Sequence, residues 1–199
     1  MAQPVLTMRY APTSVRSFQP ITLAEAKEQI RQESADDDAL ITAYIASAGD
    51  YIERRIQRSL ASRTWIVELS RFPDNGGEIV LPVPPIQSIT SVAYYASSVL
   101  TALTVGTDYR VNLPLGRIRI GLGKSYWQVA DYLPDAVTVT MVAGYATISD
   151  VPVAIKQATK LLVGHWYEHR EGVSGDAGSA VDLAVSALID SYWVGEVAL

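Results

Sequence analysis

Between residues 37 and 60 the apolar positions Leu40, Ile41, Tyr44, Ile45, Ala48, Ile52 and Ile56 recur every three or four residues. That period predicts one long amphipathic α-helix. Asp36, Asp37 and Asp38 stand at its start and Arg54, Arg55 and Arg58 near its end, the arrangement that complements a helix dipole. Gly49 inside the stripe reads either as a close packing approach or as a glycine the helix simply tolerates. A shorter helix precedes it in "ITLAEAKEQIRQES", where Leu23, Ala26 and Ile30 share a face and Thr22 with Glu25 has capping-box spacing. The period then changes. "TWIVELS", "GEIVLP", "IQSITSVAYY", "DYRVN", "GRIRIG" and "AVTVTMVAGY" are short, rich in β-branched residues and separated by turn signals such as "PDNGG". In "GRIRIG", Arg117 and Arg119 face one way and Ile118 and Ile120 the other. Two arginines on one sheet face read either as a phosphate contact or as an ordinary wetted surface.

Helical spacing returns in "SDVPVAIKQATKLLVGHWYEHREG", with Ser149 or Asp150 as candidate caps and Pro152 suited to the first turn. After the linker-like "GVSGDAGSA" comes "VDLAVSALIDSYWVGEVAL", in which Val181, Ala184, Val185, Leu188 and Tyr192 form one face. A short amphipathic helix beyond such a linker either docks on another protein or folds back onto its own core. The expected class is α+β: a small helical bundle with an inserted antiparallel β domain and a C-terminal docking helix. Its parts are an extended arm over 1–20, a helical body over 21–62 and 150–171, a β domain over 63–149, and a linker with terminal helix over 172–199.

Composition narrows the chemistry. The 199 residues include no cysteine, which removes disulfides, thiolate metal sites and cysteine nucleophiles. No basic start followed by an apolar stretch suggests a signal peptide, and no apolar run approaches the ~20 residues of a membrane span, so a soluble protein with no membrane partner is expected. Net charge is −5, and all of it lies in residues 171–199, which hold Glu171, Asp176, Asp182, Asp190 and Glu196 and no base. No overall basic footprint for nucleic acid is present.

One motif carries candidate catalytic chemistry. His165 and His169, the only two histidines, enclose "HWYEH", an H-x-x-E-H string of the kind that holds zinc in some peptidases. On a helical wheel, however, Ile155, Ala158, Leu162, Trp166 and His169 fall in one stripe with His165 at its edge. The histidines thus continue a packing face, and no third ligand is evident. No nucleophile elbow, P-loop or dinucleotide turn exists, and "GLGKS" lacks Walker spacing. The expectation is no enzyme, no metal and no cofactor.

The wider segment resembles a family. "VPVAIKQATKLLVGHWYEHREGV" is similar to the head–tail connector (head-completion adaptor) proteins of tailed bacteriophages and gene transfer agents, which show a proline, an "AIKQA"-like turn, an apolar run and "HWYENRE". Pro152, Ala154, Ile155, Lys156, Gln157, Ala158, Leu161, Leu162, His165, Trp166, Tyr167, Glu168, Arg170 and Glu171 match it. His169 stands where asparagine is usual, so a single departure creates the zinc-like string. "TLAEAK", "DDALITAYIASAGDYIE", "LPVPPIQSITSVAYY", "DYRV", "AVTVTMVAGY" and "AVSALIDSYWV" resemble further parts of the family in order, from about residue 21 to 194.

The resemblance implies a structural virion protein, assembled in the host cytoplasm and located in the head–tail neck. Members form a homo-oligomeric ring of about a dozen copies below the portal, joining the DNA-filled head to the tail and extending the DNA channel. Implied partners are the portal protein and a stopper or tail protein, with DNA passing through without specific binding. The portal-docking candidates are Val185, Leu188, Ile189, Tyr192 and Trp193, on a tail whose removal should leave a folded protein. Candidates for ring and helix packing are Ile41, Tyr44, Ile45, Ile52, Ile155, Leu162, His165, Trp166 and Tyr167. The alternatives are another neck or tail component (stopper or tail terminator), a free-standing β-sheet binding module, and a zinc hydrolase built on "HWYEH".

Overall fold

A computed structural model describes residues 6–127, 133–170 and 177–195, with the backbone alone over 177–179. The expected linker lies mostly outside the described residues. The fold is α+β, with four α-helices and two antiparallel sheets among the described residues. It divides into two compact units, each with its own hydrophobic core.

The β unit comprises residues 6–15 and 62–144. Its strands are β1 (Met8–Pro12), β2 (Arg63–Leu69), β3 (Ile79–Val80), β4 (Ile86–Ala96), β5 (Val99–Ala102), β6 (Tyr109–Asn112), β7 (Arg117–Ile120) and β8 (Val137–Ala143). Five of them pair in the order β1-β2-β8-β4-β5 and three in the order β3-β7-β6. Strict alternation makes β8 the centre of the larger sheet. Val137, Val139, Met141 and Ala143 are buried while the residues between them are not. Trp65, Val67 and Leu69 of β2 join the same core, where Phe72 and Trp127 stack with ring centroids 4.9 Å apart.

All six strands expected from β-branched runs are present, and two more join them. β1 is drawn from the extended arm as an edge strand on β2. β5 closes a hairpin on β4 through Ser97 and Ser98, both with positive φ. Two-residue hairpin turns of that conformation usually carry Asn-Gly, so Ser-Ser gave no turn signal.

The helical unit comprises residues 16–61 and 145–195, with α1 (Leu23–Ile30), α2 (Asp38–Ile56), α3 (Val153–Glu168) and α4 (Ala177–Ile189). Thr22 and Glu25 form the expected capping box: the Glu25 amide donates to Thr22 Oγ1 at 3.2 Å and the Thr22 amide donates to Glu25 Oε2 at 2.8 Å. At α3 the outcome differs from expectation. Asp150 caps a separate short turn with Thr147, and α3 starts after Pro152 with no side-chain cap. Proline has no amide hydrogen to satisfy, which suits this position. The predicted stripe of α2 is the buried one: Ile41, Ile45, Ala48, Ile52 and Ile56 pack with Ile155, Ala158, Leu162 and Val163 of α3. Gly49 is buried too, and a Cβ there would lie 3.2 Å from the Arg16 guanidinium and the Pro20 ring. Close approach is why glycine stands at 49.

Candidate functional site

The family-like segment at the end of α3 is a clamp. Tyr167 donates its hydroxyl hydrogen to Asp37 Oδ2 at 2.6 Å, and Arg170 Nη2 donates to the same oxygen at 2.9 Å. Gln32 Nε2 donates to the Tyr167 oxygen at 3.1 Å, and the Arg170 guanidinium lies 4.8 Å from the Tyr167 ring centroid. These contacts fasten the α1–α2 connection to the end of α3. The Asp37 carboxyl is held below its ordinary range, chiefly by the Tyr167 hydroxyl and then by Arg170. In return the Tyr167 hydroxyl is pushed up by Asp37. Trp166 meets Tyr44 edge-on at 6.2 Å.

The histidines take a different role from the one their spacing suggested. α3 ends at Glu168, so His169 lies beyond the helical stripe and is exposed. Its Nδ1 lies 3.1 Å from the His165 carbonyl oxygen, a contact made by the tautomer with a proton on Nδ1. His165 is half-buried, and the two rings lie 4.7 Å apart. Among the described residues no group of three or more His, Cys, Asp or Glu is arranged to hold a metal ion.

The other ring and helix packing candidates sit in the helical unit itself. Ile41, Ile45, Ile52, Ile155 and Leu162 are buried in its core, while Tyr44, Trp166 and Tyr167 are partly accessible at its edge. The docking candidates divide in the same way. Val185 and Ile189 are fully buried against the helical core, and Leu188 and Tyr192 are half-buried. Arg55 donates to Ser186 Oγ at 2.6 Å, and Arg58 Nε donates to the Tyr192 carbonyl at 2.6 Å. Only Trp193 of the five candidates is well exposed, at 60%. Leu183, which sequence reasoning did not single out, is 74% exposed. Because α4 buries Val185 and Ile189, removing residues 180–199 would uncover core; the expectation that such a truncation stays folded is therefore corrected.

A second pairing went unseen in the sequence. Arg16 Nη2 donates to Glu53 Oε2 at 2.8 Å with both side chains only 7% exposed, and also pairs with Asp50. The other Glu53 oxygen accepts from the Leu60 amide at 2.6 Å. Glu53 follows Ile45 and Gly49 at steps of four on the inward face of α2. A carboxylate at an inward helical position was the available signal.

In the β unit, Arg117 and Arg119 do share the outward face of β7, with Ile118 fully buried behind them. Glu78 accepts from Arg117 Nη1 at 2.8 Å and pairs with Arg119 as well. That pairing, Arg117 first, holds the Glu78 carboxyl below its ordinary range.

The fold and its sites define a two-unit α+β protein whose distinctive residues hold helices together. The chain belongs to the head completion protein family, which residues 19–189 match. Among solved structures it is similar to a chain of the neck of an empty GTA particle computed with C6 symmetry. The identity is 25% and the TM-score 0.74, with 96% of this chain and 97% of that one covered. A chain from the virion of a native gene transfer agent (GTA) particle is likewise 25% identical, with a TM-score of 0.72 over 95% of this chain and 97% of that one. A third, from the neck of a native GTA particle computed with C12 symmetry, is 23% identical and shares the fold, with a TM-score of 0.72 over 96% and 97%. No curated protein matches the sequence at a significant level.

Proposed function

We propose that this chain is a structural adaptor in the neck of a tailed, gene-transfer-agent-like or phage particle. It forms a ring below the portal that joins the DNA-filled head to the tail and extends the DNA channel. The observation that carries this reading is the near end-to-end similarity to a GTA neck chain, at 25% identity over 96% of the sequence. Membership of the head completion family supports a structural rather than catalytic role.

The physical character of the chain suits the role. The helical unit would supply one side of the contact between ring neighbours, and affinity would multiply around a closed ring. Portal docking falls to the accessible side of the last segment, Leu183 and Trp193 with the exposed edges of Leu188 and Tyr192. A net charge of −5 suits a conduit, because each phosphate neutralised by a bound cation strengthens sequence-independent retention of DNA. The test is removal of the gene in a particle-producing strain, followed by electron microscopy. DNA-filled heads and free tails should accumulate separately, with rescue by the intact gene. Complete particles at normal yield would refute the adaptor role.

A further inference from the structure

A ring of identical chains needs a heterologous interface, in which two different patches of the same molecule meet. Two patches of opposite charge stand out. On the outward face of the three-stranded sheet, Arg110 of β6 lies in register with Arg119 of β7, and Arg117 lies two residues along on the same side. Like charges directly opposed across strands destabilise a sheet. Glu78 serves both Arg117 and Arg119. Arg110 is exposed, and among the described residues no carboxylate pairs with it. Arg110 and Arg119 rim a shallow cleft of ≈ 420 Å³ that Asn112, Leu113 and Pro114 also line. Three guanidiniums against one carboxylate leave this face with an excess of two positive charges.

The complementary charges lie along one stretch of chain, from the end of α1 into the α1–α2 connection. Glu28, Glu33 and Asp36 are exposed, and Arg31 is the one base among them. Among the described residues Glu28 and Glu33 have no basic partner, and Asp36 bonds only to Ser34. Their neighbours Asp37 and Asp38 are already matched by Arg170 and Lys27. Three carboxylates against one guanidinium leave two negative charges, equal and opposite to the sheet face.

We propose that the Arg110–Arg117–Arg119 sheet face of one copy receives the Glu28–Glu33–Asp36 edge of a second copy of this chain. The inference rests on the ring reading and specifies which surfaces close it. Carboxylates from a neighbour supply the missing partner for Arg110 and relieve its repulsion with Arg119. Arginine forks match carboxylates bidentately, so the contact also fixes orientation. A polyanionic duplex is the less suitable occupant, because a cationic hold on its phosphates would hinder its passage.

The absence of cysteine makes the test clean. Particles are assembled from chains carrying L113C with A35C, exposed positions beside the two faces, and treated with a short bis-maleimide; L113C with S91C, an exposed position on β4, serves as control. A ladder of covalent multimers is expected for the first pair and not for the second. No ladder from intact necks, or a cross-link confined within single chains, would overturn the inference while leaving the ring reading standing. Necks lacking this chain altogether would overturn the ring reading itself. R110E provides a second readout with opposite signs. It replaces a like-charged cross-strand pair with an attractive one, so the melting temperature should rise by ~1–3 °C while self-association falls about tenfold. E33R in the mixing partner should restore association. If R110E instead abolishes binding to duplex DNA and leaves self-association unchanged, the face serves DNA and the proposal is wrong.

Discussion

Tyr167 donates a 2.6 Å hydrogen bond to Asp37 across 130 residues of sequence, tying the end of α3 to the start of α2. The Tyr167 and Arg170 positions of the family-like segment are thereby explained by packing chemistry, with no reaction required. The bond also makes a prediction about pH. Asp37 titrates lower when folded, so its stabilising share is present above the ordinary carboxylate pKa and is lost as pH falls below ~4. Tyr167 titrates higher when folded, so its share is present below pH ~10 and is lost as pH rises beyond that. Urea midpoints measured against pH should show both limbs. Tyr167→Phe should shrink both limbs, and part of the alkaline one should persist because burial also pushes up the Tyr109 and Tyr145 hydroxyls. Part of the acid limb should persist, because Glu25, Glu78 and Asp108 are also held low. An unchanged profile in Tyr167→Phe would mean the bond contributes nothing.

The Arg16–Glu53 pair should be among the most sensitive positions in the helical unit. Both side chains are only 7% exposed, so removing Arg16 takes the guanidinium away from a buried carboxylate that still accepts from the Leu60 amide. Arg16→Met should cost about 3–5 kcal/mol in equilibrium unfolding. The double variant Arg16→Met with Glu53→Met should recover part of that loss, since the desolvated carboxylate is removed together with its guanidinium. A single-variant loss below ~1 kcal/mol would show that water reaches the pair.

His169 should be dispensable. It is exposed, lies past the helix end, and its side chain meets the carbonyl and the ring of His165. His169→Asn should shift stability by no more than ~0.5 kcal/mol and leave particle yield unchanged. Stoichiometric zinc in the purified protein, lost in this variant together with a hydrolytic activity, would reinstate the zinc reading.

The parts legible in the sequence were those with a local period. The inward stripe of α2, the capping box at Thr22, and the alternation in β2 and β8 depend on residues a few positions apart. β5 escaped because Ser97 and Ser98 adopt positive φ without a residue that advertises it. β1 escaped because an edge strand gains its partner, β2, from more than fifty residues away, and its own burial is slight. The site divided along the same line. Burial of Ile155 and Leu162 followed from periodicity, and so did the inward position of Glu53, whereas the pairing of Asp37 with Tyr167 and the choice of Arg16 as the cation for Glu53 are set by tertiary contact. The wheel that placed His169 on the packing stripe assumed one more helical residue than α3 contains.

That distinction decides how the last segment should be tested for portal docking. Deleting residues 180–199 removes the buried Val185 and Ile189 along with any docking surface, so a lost particle would be ambiguous. Ile189→Ala alone should cost about 2–5 kcal/mol, because the side chain is fully buried. The informative variant is Leu183→Glu with Trp193→Glu. Both side chains are largely exposed, at 74% and 60%, so the chain should fold with a change of no more than ~1 kcal/mol in all. Docking would instead have to bury two added charges, a penalty repeated in every subunit of the ring. Folded protein together with unjoined, DNA-filled heads is the expected outcome, read by circular dichroism and electron microscopy. Normal particle yield from this double variant would place the portal contact elsewhere on the chain.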